Sequence, residues 1–269
     1  MDLLIAGALA LVLTLVLGAA LTWIVEGHSF ALPGSLAALV RTADGLAAGV
    51  SLLLSAAALA LLPWPLHPAA GRAWVGEPLL IWAAAEGAFL APLVPGLLAP
   101  SPLAARAVVR EGQISLAGRV VVWVAVGAAL WVGAGWSAAA LPGRVLAALG
   151  GLLAMPAAAG IGPFAPERSL NLAGAEEGLD EQTARLIGFA RAARAGVLLM
   201  GLTICSLPLA SIAAPAALLL VLAVFVAVAL GLKRIGAGQP RVTLPAALRW
   251  CWRRALPAAG VGLLYLAIV

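Results

Sequence analysis

The chain has 269 residues, 64% hydrophobic and 10% charged, with a mean hydropathy of +1.11. A soluble domain carries roughly 25% charged residues, so too little polar surface exists here to coat a water-soluble globule. The net charge of +5 would suggest a nucleic-acid partner for a soluble protein, but membrane topology accounts for it here, and no nucleic acid is expected.

The composition predicts an all-α, polytopic protein, a single transmembrane domain over residues 1–269. A bilayer core of about 30 Å takes about 20 apolar residues per helix. Such stretches run over 3–25, 43–63, 77–98, 114–136, 144–162, 186–206, 209–232 and 255–269, which makes about eight spans. The first is too long for a signal-peptide core and follows Met1-Asp2 rather than a basic segment, so it reads as a retained span. Arg41 lies in the first connection and Asp44 opens the second span. Glu86 falls near the middle of the third span, which also holds Pro92 and Pro95. An ionisable group there costs about 3 kcal/mol or more unless paired or hydrated, so Glu86 reads equally as a functional group and as a structurally paired one. Arg106 and Arg110 fill the third connection, and Glu111 and Arg119 flank the entry to the fourth span.

The fifth connection is the most charged. Residues 162–188 carry Glu167, Arg168, Glu176, Glu177, Asp180, Glu181 and Arg185, five of the chain's eleven acids among them. Crowded carboxylates raise each other's pKa and can hold protons near neutral pH. Two readings stand side by side: a solvated acidic loop, or partners for Arg191 and Arg194, which enter the next span three residues apart on one face. Lys233, Arg234, Arg241, Arg249, Arg253 and Arg254 lie in the seventh connection, with Trp250 and Trp252 as interface anchors of the last span.

Fourteen of the sixteen Lys/Arg fall on the side of the odd-numbered connections, against Arg72 and Arg144 on the other. That bias puts the connections at about 26–42, 99–113, 163–185 and 233–254 in the cytoplasm and both termini outside, in a cell inner membrane. Cys205 and Cys251 are 46 positions apart, no C-x-x-C occurs, and His28 and His67 are far from both, so no metal or cofactor site is expected in this chain. No convincing internal repeat marks a stand-alone secondary transporter, which remains the alternative reading.

Four stretches carry a family resemblance. "VREGQISLAGRVV" (109–121) resembles the pattern R-E-x-x-I-S-x-x-x-E-P: Arg110, Glu111, Ile114 and Ser115 match, while Arg119 and Val120 replace Glu and Pro. "SLNLAGAEEGL" (169–179) is similar to H-L-E-L-T-M-I-H-E-A-M, with Leu170, Leu172 and Glu177 matching, Asn171 in place of Glu and Glu176 in place of His. "GPFAPE" upstream is similar to P-F-D-L-P-E, with Ala165 for the Asp. "GSLAALVRTADGLAAG" (34–49) shares Ala43, Asp44, Gly45 and Leu46 with G-P-x-G-L-L-Q-P-L-A-D-G-L-K, where Ala47 replaces the Lys. "PRVTLPAALRWCWRRALP" (240–257) keeps Pro240, Arg241, Trp252, a basic Arg253 and Pro257 of P-R-x-R-x-D-Q-L-M-x-x-x-W-K-x-x-L-P.

These patterns resemble the membrane subunit shared by energy-converting NiFe hydrogenases and formate hydrogenlyase, which is homologous to the quinone-site membrane subunit of respiratory complex I. The resemblance implies an eight-span, non-redox anchor and coupling subunit of a membrane-bound oxidoreductase in the respiratory chain. It implies no active site and no cofactor of its own. Iron–sulfur clusters, and by branch a NiFe centre or quinone, belong to partners: soluble iron–sulfur and hydrogenase-like subunits on the cytoplasmic side, and antiporter-like subunits in the bilayer. The coupling candidates for proton or ion translocation are then Asp44, Glu86, Glu111, Glu176, Glu177, Asp180 and Glu181. The candidates for docking the soluble arm are Arg41, Arg110, Arg241 and Arg253. Arg119, Arg191 and Arg194 are candidates for charge pairs. The lost charges at 47, 165 and 171 and the reversed one at 119 favour docking and anchoring over a fully preserved proton path. The hydrogenase branch fits "REGQIS" better than the complex I branch.

Overall fold

The computed structural model describes residues 2–27, 41–130, 136–167, 176, 178–236 and 238–269. All regular structure among them is helical: α1 (Asp2–Glu26), α2 (Ala43–Leu61), α3 (Pro78–Leu90), α4 (Leu93–Leu98), α5 (Pro102–Leu130), α6 (Leu141–Ala159), α7 (Glu181–Cys205), α8 (Ala214–Gly236), α9 (Leu244–Trp250) and α10 (Leu256–Ile268). Six of these, α1, α2, α5, α6, α7 and α8, are long and apolar enough to cross a membrane. The protein is a multi-pass membrane protein.

The other two expected spans take a different form. The third is broken after Leu90, because Pro92 has no N–H and its ring collides with the carbonyl four residues back. That carbonyl, of Ala88, instead accepts a 2.6 Å hydrogen bond from Ser51 Oγ on α2. The eighth extends upstream: α9, a π turn over Cys251–Ala255 and α10 form one run from Leu244 to Ile268. Two further starts differ from the hydropathy reading. α5 begins at Pro102, since Arg106, Arg110 and Glu111 are good helix formers although polar. α7 begins at Glu181 because Asp180 caps it.

α7 is the central helix, buried at every residue from Ala193 to Cys205. α1 and α2 flank it, and α5, α6 and the α9–α10 run form the opposite side. Small residues set the spacing, since lipid offers no hydrophobic drive for helix association and close packing must supply it. A Cβ on Gly118 of α5 would lie 2.3 Å from the Ala158 backbone nitrogen of α6, and one on Gly150 of α6 2.4 Å from that of Ala259 on α10.

The connections gather at two ends. At one, Val242 N–H donates to Pro163 O at 2.9 Å, and Arg110 Nη2 donates to Val242 O at 2.7 Å. The third, fifth and seventh connections therefore meet. At the other end, Arg72 pairs with Asp2 at 2.8 Å.

A methyl group at Gly118 has only fixed backbone to push against, so Gly118→Ala should cost about 1–3 kcal/mol and lower the melting temperature in detergent. Gly7, with nothing within 4 Å of its would-be Cβ, should accept Ala without loss. Equal melting temperatures for the two variants would contradict this packing.

Candidate functional site

Glu111, Ser115, Arg119 and Trp123 recur every fourth residue on α5 and so share one face. α3 brings Glu86 and Phe89 to that face, α7 brings Arg191 and Arg194, and the segment before α7 brings Glu176. Together these residues form a buried, connected string of charges.

At its inner end Arg119, 1% exposed, grips Glu86 with two hydrogen bonds, Nε to Oε1 and Nη2 to Oε2, both 2.8 Å. Trp123 Nε1 also donates to Glu86 Oε1 at 2.8 Å. The remaining Arg119 nitrogen, Nη1, donates to Ser115 Oγ. Ser115 in turn donates to Ala158 O at 3.0 Å, a last-turn carbonyl of α6 that lacks an intrahelical donor. At the outer end Arg191 donates to Glu111 through Nε (3.1 Å) and Nη2 (3.2 Å), and to Glu176 through Nη1. Arg194 bridges inward: Nη2 donates to Glu111 Oε1 and Nη1 to Phe89 O, each at 3.2 Å. That carbonyl is free because α3 stops at Leu90. The Phe89 ring lies 4.4 Å from the Arg119 guanidinium carbon and 4.8 Å from that of Arg194. One aromatic ring thus serves two cations.

Three carboxylates face three guanidiniums, and all six residues are buried. An isolated buried ion costs several kcal/mol even after relaxation, so the string is stable only while its charges balance. From Glu111 to Arg119 it extends about 12 Å along the α5 axis, at 1.5 Å per residue. Arginine stays charged at any physiological pH. The arginine positions therefore cannot relay a proton.

The structure brings together Glu86, Glu111, Glu176, Arg119, Arg191 and Arg194, and leaves the other candidates outside. Asp44 sits in the first turn of α2 and takes no part. Glu181 pairs with Arg185 of its own helix on the surface. Asp180 is the α7 cap, accepting from the Thr183 N–H at 2.9 Å and the Thr183 hydroxyl at 2.7 Å. Among the described residues Glu176 and Asp180 do not crowd each other, because Glu176 lies outside the helix and turns inward to Arg191. Those Thr183 hydrogen bonds hold the Asp180 carboxyl below its ordinary pKa instead of above it. Glu177, and Arg168 and Asn171 with it, fall outside the described residues. Among the described residues no three His, Cys, Asp or Glu side chains converge as a metal site.

Phe89, Trp123 and the pair Arg110–Glu167 (3.6 Å) escaped sequence reasoning. The four-residue spacing from Glu111 to Trp123 was the available signal. At the charged end Arg106, Arg110, Glu167 and Arg241 line an open groove. Beside it a pocket of about 260 Å³ runs from Arg241 past Gly162 to Arg191. Arg41 is exposed at the start of α2, and Arg253 is exposed on the π turn and does not line that groove.

No family model matches the sequence, and no curated protein matches it. The fold is similar to that of a chain in the solved structure of the membrane-bound sulfane sulfur reductase, an archaeal respiratory membrane complex. The two chains are 18% identical and superpose with a TM-score of 0.67, over 99% of this chain and 100% of that one.

Removing one member of the buried pair strands the other. Glu86→Leu or Arg119→Met alone should each cost roughly 3–5 kcal/mol, whereas the two together should recover most of that loss. Thermal unfolding of the single and double variants measures the coupling, and additive losses would contradict the pairing.

Because the Asp180 pKa is lowered, its cap is complete above the ordinary carboxylate range near about pH 4. The cap is lost as pH falls through the lowered value. The protection of the Thr183 amide, its exchange rate relative to that of an unprotected amide at the same pH, should fall in acid for the native chain, and Asp180→Ala should remove it already at neutral pH.

Proposed function

We propose that this chain is the membrane anchor and coupling subunit of a respiratory-type oxidoreductase complex. The observation that carries the reading is the buried, charge-balanced string running from Glu176 at the basic end to Glu86 between the helices. Its fold likeness to a chain of an archaeal respiratory membrane complex supports the reading, as do the four stretches resembling the subunit shared by NiFe hydrogenases, formate hydrogenlyase and complex I.

In this reading the basic end faces the cytoplasm and both termini face outward. Arg41, Arg110 and Arg241 hold a soluble iron–sulfur arm, and antiporter-like subunits adjoin the chain in the bilayer. Iron–sulfur clusters, and any NiFe centre or quinone, sit in those partners. A unit charge arriving about 4 Å from Glu176 or Glu111 is worth about 4 kcal/mol at an effective dielectric constant of 20. That is enough to shift Arg191 between its two carboxylate partners. Arg194 bonds both Glu111 and the Phe89 carbonyl, so a change at Glu111 reaches the Phe89 ring and the Arg119–Glu86 pair behind it. The chain thereby links electron transfer in the arm to ion movement in its membrane neighbours.

Gentle extraction should recover the chain with iron–sulfur polypeptides, identified by mass spectrometry. A lone monomer or homodimer with transport activity would overturn the proposal in favour of a secondary transporter. In the intact assembly Glu111→Gln should reduce coupled ion movement at least about tenfold, one factor of ten per 1.36 kcal/mol of lost stabilisation, while subunit composition is kept. Arg241→Gln should instead release the soluble arm.

A further inference from the structure

The run from Leu244 to Ile268 buries a seam at every fourth residue, Ala247, Cys251, Ala255 and Ala259, against α5 and α6. The π turn at Cys251–Ala255 keeps that seam in line and leaves Arg249, Trp252, Arg253 and Arg254 exposed. No Asp or Glu follows Glu181 in the sequence, and among the described residues none of these three arginines makes an ion pair. Two of them turn back on the run itself: Arg249 Nε donates to Pro245 O at 3.3 Å, and the Arg254 guanidinium lies 5.1 Å from the Trp250 ring centre.

Their depth narrows the choice of counter-ion. Trp250 Nε1 donates to Leu153 O at 2.8 Å, and Leu153 lies six residues before the end of α6 at Ala159. Ala259 of the run packs against Gly150 of α6, so at 1.5 Å per residue Arg249 leaves the rod level with the end of α6 at Ala159 and Arg254 about 6 Å inside it, a depth that suits the boundary between acyl chains and headgroups. Trp252 points outward beside them, as interfacial tryptophans do. Arginine side chains there extend towards the headgroups, and their forked guanidinium matches phosphate with two parallel hydrogen bonds.

We infer that Arg249, Arg253 and Arg254, flanked by Trp250 and Trp252, form a binding site for the headgroup phosphate of an anionic phospholipid in the leaflet at the basic end. The site is separate from the buried string and stands whether or not a redox arm is present.

The test uses the full chain in a neutral detergent, with phosphatidylglycerol or phosphatidylcholine added and bound lipid counted by native mass spectrometry. The native chain should prefer phosphatidylglycerol, and Arg249→Gln/Arg253→Gln/Arg254→Gln should weaken that binding roughly tenfold or more. Lys233→Gln/Arg234→Gln, at the end of α8, should leave it unchanged. Rising salt should erode the preference of the native chain, a readout that needs no variant. Equal uptake of the two lipids, a preference indifferent to salt, or full retention by the triple variant would each overturn the site. So would a triple variant that keeps its lipid but loses a membrane neighbour from the gently extracted assembly, since the arginines would then serve a protein carboxylate.

Discussion

A charge buried among lipid-facing helices must find its opposite where it sits. The Arg119–Glu86 pair meets that demand between α5 and α3, and much of the interior is arranged around it. Trp123 and Ser115 occupy the hydrogen-bonding positions that the pair leaves open. Ser115 passes the connection to a carbonyl of α6. The guanidinium lies on the same ring that receives Arg194. Take away either ion and the survivor is left in a low-dielectric interior with nothing of equal strength to replace it.

The break at Pro92 belongs to the same design. By stopping α3 at Leu90 it exposes two backbone carbonyls, and the protein fills both from other helices: Ser51 reaches Ala88 and Arg194 reaches Phe89. A local defect in one helix thus becomes a joint among α2, α3 and α7. Glycines at 118 and 150 bring α5, α6 and α10 close enough for short polar side chains such as Ser115 to span the gaps.

Two charged regions with different physics result. The inner string is paired, buried and neutral as a whole, so its charges are answered within the protein. The outer arginines on the last helical run are exposed and lack acids in the sequence around them, so they look to the surroundings for neutralisation. Arg110 and Arg241 lie between these extremes, at the groove where three connections meet.

Composition and hydropathy alone determined that the chain is a bundle of membrane helices, roughly how many, and which connections carry its basic residues, because a lipid solvent permits few alternatives. The four-residue ladder from Glu111 to Trp123 was equally legible, since helical periodicity depends on sequence alone. Which acid meets which arginine was decided only in three dimensions. Glu86 and Arg119 are 33 residues apart and Glu111 and Arg191 are 80 apart, and helix packing, not spacing, selects among such partners. The acidic connection shows the same limit. Glu176 and Asp180 are four residues apart in the chain, yet one turns inward to Arg191 and the other caps α7. The helix begins just after Asp180, which caps it, while Glu176 lies in the segment before it, so their side chains meet different neighbours.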